Sequence, residues 1–256
     1  SLTSVSEGLT DIAFVPEGFF ETQFYPTFVA TIPYTTTSEW VTNKALYEMF
    51  QTYAPFREMC AAQNVVNLGV VAPSELAMCS NLKIESLNDL KGLKIRTMEN
   101  SYHLAFWKAI GANPTPMSFS EVYIGLQQHT IDAQENPYEV IVSNNLYEQQ
   151  DYVVETNHLP HLISLIVNDD FFRDLPEDEQ EIMTEAAKIA TEYAREQSDA
   201  RIADKIAKIE ESGTKILTLD GQTRADIREA SQSVYESIKE NIDPAIYNAY
   251  MDGIEN

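Results

Sequence analysis

The sequence has few cysteines and no long apolar run. Two cysteines, Cys60 and Cys79, occur in 256 residues, which excludes a disulfide-rich scaffold and a four-cysteine zinc site. One bridge or two buried thiols would both fit this number, and we favour free thiols because a chain of this length needs no covalent staple. No run reaches the roughly 18 apolar residues that a membrane helix needs, so we expect a protein that is not embedded in a membrane. The first residues show no pattern of a signal peptide.

Positive charge is also scarce. The chain has 17 Lys and Arg residues against 40 Asp and Glu residues, and its formal net charge is −23 at pH 7. This excess argues against nucleic acid or an anionic membrane surface as a partner, and it means that any anion site must be built locally. Hydrophobic residues make up 44% of the chain and aromatic residues 10%, which is normal for a folded protein with a substantial core.

Motifs of catalysis, nucleotide binding and metal binding are missing. The sequence contains no G-x-G-x-x-G, P-loop, H-E-x-x-H or G-x-S-x-G pattern. The only close pair of histidines is His158 and His161, and Pro160 between them disfavours the helical spacing of a metal-binding pair. We therefore expect no enzyme activity, no metal and no cofactor.

Short apolar runs alternate with helical patterns, which is typical of an α/β protein. The predicted strands cover residues 11–15, 28–32, 65–71, 93–97, 152–154, 162–167 and 215–219. The predicted helices cover residues 38–51, 102–110, 119–128 and 138–144.

One further helix is predicted to be unusually long. No Gly or Pro interrupts residues 177–212, Pro176 suits the first helical position and Gly213 suits the end. Two apolar stripes at helical spacing flank a polar stretch at 197–201, and their members are Ile182, Ala186, Ile189 and Tyr193, then Ile202, Ile206 and Ile209. Such a helix would extend about 54 Å, which predicts one helix that serves two lobes. The alternative is two helices with a bend at Ser198.

The best candidate for a binding residue is Arg96. It ends a short predicted strand in DLKGLKIRT, after a turn at Gly92. Ligands of open α/β sheets bind beyond the carboxyl ends of strands, so Arg96 is placed to reach a cleft. Its planar guanidinium can hold a carboxylate through two hydrogen bonds. On spacing alone, however, a structural ion pair with one of the many acidic side chains is the favoured interpretation.

Several segments resemble one protein family. DLKGLKIRT, GANPTPMSFSEVY, GLQQHTIDAQENP and YEQQDYVVETNH resemble the substrate-binding proteins of tripartite ATP-independent periplasmic (TRAP) transporters of the DctP type. TDIAFVPEGFFETQFYPTFVATIPY and DLPEDEQEIMTEAAKIA extend the resemblance over most of the chain. It implies a periplasmic protein that captures a small organic acid and delivers it to membrane permease subunits. The implied fold is periplasmic-binding-protein-like, with two α/β lobes, a central ligand cleft and a long helix spanning both lobes.

The resemblance also implies how the lobes are divided. We expect residues 1–73 and 162–201 in lobe I, and residues 74–161 and 202–256 in lobe II. The family begins with a strand–helix–strand segment before TDIA, and this chain starts inside that segment. We interpret the sequence as a fragment, because loss of a strand and its covering helix from the fold would expose apolar surface.

The resemblance implies four ligand contacts, and the position of Trp107 on the helix after Arg96 suggests a fifth. Arg96 in LKIR matches the family arginine that pairs with the ligand carboxylate, and Asn136 in QENP matches the asparagine that hydrogen-bonds it. Phe119 in MSFSEVY matches an aromatic side chain that packs against the ligand, with a plain core residue as the alternative. Glu17 in AFVPEGFF falls one residue from a position that reads a polar ligand group, with a solvated carboxylate as the alternative. Trp107 could line the pocket, although a helical tryptophan at this spacing is more often core.

One departure from the family bears on the ligand. The sialic-acid-binding branch has a second ligand-facing arginine on the strand before SN, where SELAMCSN has Leu76. The missing cation argues against sialic acid and against a dicarboxylate held at both ends, so we expect a monocarboxylate. The alternatives are a receptor that presents its ligand to a sensor protein, and an α/β enzyme that acts on a small carboxylate.

Overall fold

The computed structural model describes residues 1–16 and 54–241, together with residues 244, 245, 247 and 248. The helices are α1 (Leu2–Ser6), α2 (Ala54–Ala61), α3 (Ser101–Ala109), α4 (Phe119–Gln127), α5 (Tyr138–Ser143), α6 (Asp169–Asp174), α7 (Glu177–Glu211), α8 (Gly221–Ala230) and α9 (Gln232–Asn241). The strands are β1 (Ile12–Pro16), β2 (Val65–Glu75), β3 (Ala77–Ser80), β4 (Lys94–Thr97), β5 (Asn113–Pro116), β6 (Ala133–Asn136), β7 (Tyr152–Glu155), β8 (Pro160–Asn168) and β9 (Lys215–Thr218). The strand predicted at 28–32 and the helix predicted at 38–51 lie outside the described residues.

The described strands form two sheets, one for each lobe, and the prediction of an α/β fold is confirmed. The first sheet has the order β1-β8-β2 with antiparallel neighbours. The second has the order β5-β4-β6-β3-β7-β9. Its strand β3 runs antiparallel to both neighbours, while the other neighbouring pairs are parallel.

Two short connections join the sheets. A single residue, Leu76, separates β2 from β3, and residues 156–159 separate β7 from β8. We call residues 156–159 the crossing segment. The backbone N–H of Leu76 donates to the Leu159 carbonyl over 2.7 Å, so the two connections lie side by side. The chain therefore passes between the two sheets twice at one place.

The long helix is continuous. Helix α7 has 35 residues, so the chain forms one helix here rather than two. Its first half contacts the first sheet, where Ala187 belongs to a cluster with Leu68 and Leu165. Its second half contacts the second lobe, where Ile209 is fully buried. The prediction of one helix that serves both lobes is confirmed.

The periodicity of α7 predicts that the apolar stripe in its first half faces the core. In the structure this stripe is exposed instead. Ile182, Ile189 and Tyr193 are 66%, 58% and 59% exposed. The buried side carries Thr191, which lies against Gly69 of β2. A Cβ atom added at Gly69 would lie 2.9 Å from Cγ2 of Thr191. The helix therefore packs through a close backbone approach that hydrophobic periodicity does not reveal.

Three strands of the second sheet do not coincide with any predicted strand. These are β3, β5 and β6. Strand β5 reads NPTP and lies at an edge of the sheet, where a strand tolerates proline because the missing N–H needs no partner. Strand β6 reads AQEN, yet all four of its residues are buried. Buried polar residues in a central strand break the local pattern, and such breaks concentrate at functional sites.

Both cysteines are buried free thiols. Cys60 belongs to the apolar cluster of the first lobe, and Cys79 lies in β3. Burial raises the pKa of Cys79 to about 12, so this thiol is not ionised at neutral pH and behaves as a small hydrophobic residue. The preference for free thiols over a bridge is confirmed.

No described helix is both long enough and apolar enough to cross a bilayer.

Candidate functional site

The carboxyl ends of β4, β6 and β7 meet at one edge of the second sheet, because these strands run in the same direction. The crossing segment leaves toward the first sheet from this edge, which we call the ligand edge. Buried polar side chains gather there, each at most 7% exposed: Arg96, Thr97, Gln134, Glu135 and Asn136. Ligands of α/β sheets bind outside the carboxyl ends of strands, so this edge is the candidate site.

These side chains lie on two faces of the sheet. Arg96 and Gln134 are partners in the parallel ladder between β4 and β6, so they point to the same face. Asn136 follows two residues later on β6 and shares that face, because side chains alternate along a strand. Glu135 points to the opposite face, toward α3. We call the face of Arg96 and Asn136 the anchor face.

Among the described residues, no carboxylate directly contacts the positively charged side chain of Arg96. Its Nε and Nη2 atoms donate to the Met117 carbonyl over 3.0 and 2.9 Å. Within residues 1–16 and 54–241, no carboxylate forms a salt bridge with it, so the structural ion pair favoured on spacing alone is not formed there. Burial lowers the pKa of the Arg96 guanidinium, and the negative charge of Glu135 opposes this effect. An arginine stays protonated under such conditions.

Phe119 lies next to Arg96 at the first turn of α4. Its ring centre is 5.7 Å from Cζ of Arg96, within the range of a cation–π contact. The side chain is 40% exposed, so part of its surface can be reached from outside. Its contact with a ligand stays a prediction.

Asn136 is held by its neighbour on the same strand. Its Nδ2 donates to Oε1 of Gln134 over 2.5 Å. This bond uses one of the two N–H groups of the Asn136 amide, and the other N–H and the Oδ1 atom remain for a further partner. Arg96 and Asn136, which the resemblance assigns to the same carboxylate, thus lie on one face of neighbouring strands. Their contact with a ligand stays a prediction as well.

The two remaining candidates have different outcomes. Glu17 lies outside the described residues. Trp107 is 1% exposed and packs in the core between α3 and the second sheet. Its indole N–H donates to Oε2 of Glu135 over 2.6 Å. Trp107 therefore reaches the ligand edge through Glu135, on the face of the sheet that points toward α3. Its contact with a ligand stays a prediction.

Sequence reasoning missed a buried carboxylate beside the anchor. Glu135 is 3% exposed, and its two oxygens lie 2.7 Å from Nδ1 of His103 and 2.9 Å from Nε2 of His158. Burial alone would raise the pKa of Glu135, but the charge of His103 and the hydrogen bonds from both histidines hold it well below its usual range. The one available signal was a charged residue inside the buried AQEN strand.

His158 takes part in this network rather than in a metal pair with His161. Its Nδ1 atom lies 2.9 Å from Oγ1 of Thr156, so both of its ring nitrogens have partners. Across the described ranges, no group of three or more His, Cys, Asp and Glu side chains is arranged to hold a metal ion.

A separate cavity of about 420 Å³ lies between α2, β2 and α6, lined by Arg57, Asn67 and Arg173 among others. Its Arg173 is already paired with Asp169 over 2.6 Å. None of the four predicted ligand contacts among the described residues, Arg96, Phe119, Trp107 and Asn136, lines this cavity. We therefore keep the ligand edge as the candidate site. There a buried arginine, which has no carboxylate partner in the described part of the chain, lies at the carboxyl ends of three strands.

Residues 1–241 match the family described as bacterial extracellular solute-binding protein, family 7, or DctP. Over 175 residues the chain is 34% identical to the solute-binding protein RD1_1052 of Roseobacter denitrificans, covering 68% of this chain and 53% of that protein. Over 174 residues it is 32% identical to the ectoine-binding periplasmic protein TeaA of Halomonas elongata, covering 68% and 49%. The chain spans about half the length of these curated relatives.

The fold is similar to that of a solved sugar acid binding protein, DctPAm of Advenella mimigardefordensis, in complex with galactonate. The two structures superpose with a TM-score of 0.92 at 25% sequence identity. The match covers 99% of this chain and 82% of the other.

Proposed function

The chain belongs to the bacterial extracellular solute-binding protein family 7, the DctP family, whose members act in the periplasm, and from this membership we propose that it captures a small organic monocarboxylate there and delivers it to TRAP permease subunits in the membrane. Family members are solute-binding proteins rather than enzymes. The proposed function is therefore reversible capture of a ligand without chemical change.

Among the described residues, one edge of the Arg96 guanidinium has no hydrogen-bond partner, and this observation carries the proposal. The Met117 carbonyl occupies the edge formed by Nε and Nη2. The other edge, formed by Nη1 and Nη2, keeps two parallel N–H groups, which is the geometry that a carboxylate binds with two hydrogen bonds. We propose that the ligand carboxylate binds Arg96 at this edge and accepts a further hydrogen bond from Asn136.

The remainder of the ligand would lie near Phe119, whose ring is partly exposed beside the guanidinium. We keep Glu17 and Trp107 as further proposed contacts, Glu17 for a polar group and Trp107 for a bulky one. Leu76 is apolar and 2% exposed at the connection between β2 and β3, so it offers no second cation. Galactonate and ectoine, the ligands named for two similar proteins, each carry one carboxylate, whereas a third solved structure with this fold holds succinate, which carries two.

We further propose that the lobes comprise residues 1–73 and 162–201, and residues 74–161 and 202–256, and that they close over the ligand. Closure would bend the chain at Leu76 and at the crossing segment. It would exclude water from the anchor, and a charge pair is stronger where water is excluded. The closed form is then the state that the permease recognises.

A thermal-shift screen tests the proposed function. The panel contains sugar acids, keto acids and hydroxy acids, each paired with its uncharged amide. A ligand at about 100 times its Kd stabilises the folded protein by roughly 2.7 kcal/mol, so an acid should raise Tm while its amide should not. Arg96→Ala should abolish the shift, and Arg201→Ala, which removes an exposed arginine on α7, should preserve it. Equal shifts for acids and amides would contradict a carboxylate anchor.

A further inference from the structure

Gln134 lies in the middle of the anchor face and is fully buried. On β6 it is opposite Cys79 of β3 in the antiparallel ladder, and it is opposite Arg96 of β4 in the parallel ladder. Residues directly opposite each other on neighbouring strands point to the same face, so Gln134 lies between a thiol and the guanidinium. Asn136 follows it on the same strand. Gln134 therefore connects the core of the lobe to the asparagine of the proposed anchor.

The amide of Gln134 is only half satisfied. Its Oε1 accepts from Nδ2 of Asn136 over 2.5 Å. Its Nε2 is buried and has no partner at hydrogen-bonding geometry among the described residues. A donor of this kind is unfavourable, because burial removes the water that would otherwise bind it. The bond between the two amides, in this direction, leaves a buried NH₂ group without an acceptor at the centre of the site.

The thiol of Cys79 lies at the other end of Gln134. Burial raises the pKa of Cys79 to about 12, and the contact with the Gln134 side chain acts in the opposite direction. A contact that lowers the pKa of an acid comes from an N–H group, because such a donor favours the charged form, so Nε2 is the end that faces Cys79. At neutral pH the sulfur keeps its proton and is itself a donor. Two donors therefore face each other.

A second arrangement of the same atoms gives each of these groups a partner. The oxygen and nitrogen ends of an amide are nearly equal in size, so each amide can make half a turn with little displacement of its neighbours. Cys79 then donates its S–H to Oε1 of Gln134, and Nε2 of Gln134 donates to Oδ1 of Asn136. The Asn136 amide keeps both of its N–H groups for a ligand, while its oxygen is already bound.

We propose that Cys79 and Gln134 are positioning residues that hold the anchor amide in this second arrangement, so that Asn136 presents two N–H groups to the ligand carboxylate. The inference rests on the proposed function, because it names what sets the selectivity of that same anchor. In the first arrangement Asn136 offers one N–H and one oxygen, which suits an uncharged amide as well as a carboxylate. In the second it offers donors only, which suits an anion beside Arg96 and leaves the N–H groups of an amide ligand without a partner.

Nuclear Overhauser effects of the side-chain amides test the arrangement in the protein without ligand. In the second arrangement the Nε2 protons of Gln134 lie beside Asn136 and should give cross-peaks to its Hβ protons. In the first arrangement they lie beside Cys79 and should give cross-peaks to the Hβ protons of that residue. Gln134→Met removes the signals and thereby assigns them. Cross-peaks to Cys79 without cross-peaks to Asn136 would overturn the proposal.

The affinities for galactonate and for its uncharged amide, galactonamide, test the selectivity. Calorimetry measures the first, and competition against galactonate measures the second. Gln134→Met keeps the length of the side chain but has no amide, so Asn136 can turn its oxygen toward a ligand. The preference for the acid over the amide should fall by about two- to tenfold, the range for one ordinary hydrogen bond. Equal weakening of both ligands would show a packing role only.

Two substitutions of Cys79 separate donation from packing. Cys79→Ser keeps a donor toward Oε1 of Gln134 and should keep the preference of the parent for the acid. Cys79→Ala has no donor and should lose this preference in the same direction as Gln134→Met. Cys60→Ala, at the buried thiol of the first lobe, is the matched control and should behave like the parent. An unchanged preference in Cys79→Ala would contradict the role of the thiol.

The two kinds of measurement distinguish this inference from the proposed function. If the parent fails to bind galactonate while the Gln134 cross-peaks go to Asn136, the proposed function fails for sugar acids and the amide arrangement stands. If the parent binds galactonate while the cross-peaks go only to Cys79, the proposed function stands and the amide arrangement is wrong.

Discussion

The carboxylate of Glu135 lies 2.9 Å from Nε2 of His158, and this contact ties the end of a central strand to the segment that crosses between the lobes. Both side chains are almost fully buried. The anchor face on the other side of the strand is thereby fixed relative to the connection at which the lobes meet. The ligand proposed to bind at Arg96 and Asn136 would lie against a part of the protein that two neighbouring elements hold in place.

Trp107→Phe should destabilise the folded protein. The substitution keeps most of the buried ring but removes the N–H that donates to Glu135 over 2.6 Å. A buried carboxylate that loses one donor costs about 1–3 kcal/mol. Urea denaturation measures the free energy of unfolding. Tyr123→Phe is the control, because it also removes one polar group from an aromatic side chain, and that hydroxyl contacts Glu148 at 3.4 Å and Gln149 at 2.8 Å rather than a buried carboxylate. Equal stability of the parent and Trp107→Phe would show that this bond contributes nothing.

Acid should destabilise the protein through His161. Its pKa is about 4 in the folded protein against an ordinary value of 6.5, because burial disfavours the charged ring. The unfolded chain therefore binds more protons between these values, and stability falls as pH drops from about 6.5 toward 4, by roughly 3 kcal/mol in total. His161→Gln should show a smaller loss in urea denaturation over this interval. His129→Asn, at an exposed histidine, should behave like the parent, and an unchanged loss in His161→Gln would contradict the assignment.

Gly69→Ala should destabilise the contact between α7 and the first sheet. The new Cβ would lie 2.9 Å from Cγ2 of Thr191, and overpacking of this kind costs about 1–3 kcal/mol. Thr191→Ser removes that methyl group, so the double variant should recover part of the loss. Gly221→Ala is the control, since nothing lies within 4 Å of its added Cβ. Additive losses in the double variant would show that the two residues do not interact.

The strands that bury apolar residues on both faces could be predicted from the sequence, and β6 could not. Strands such as β2 and β8 contain mainly apolar runs, whereas β6 reads AQEN although it is fully buried. Glu135 is tolerated there because two histidines and a tryptophan bind its carboxylate, and Asn136 donates to Gln134, whose Nε2 has no partner among the described residues. Those partners become visible only once the chain is folded.

Distance along the chain explains what was missed at the site. Glu135 lies 32 residues after His103 and 23 residues before His158, and no local spacing shows that they meet. Arg96 and Asn136 could be assigned to one site, because each lies in a segment that resembles the family. For α7 the apolar stripe is visible in the sequence, but its exposure is not. Periodicity identifies an apolar face and does not show whether that face points to the core or to solvent.

The affinity of Arg96→Ala for galactonate, compared with that of the parent by calorimetry, tests the central claim most directly. Loss of a bidentate, charge-assisted pair at a buried site should weaken binding by about 100-fold or more, since such a loss costs roughly 3 kcal/mol. Arg201→Ala should bind like the parent. Equal affinities of the parent and Arg96→Ala would contradict the carboxylate anchor on which the proposed function depends.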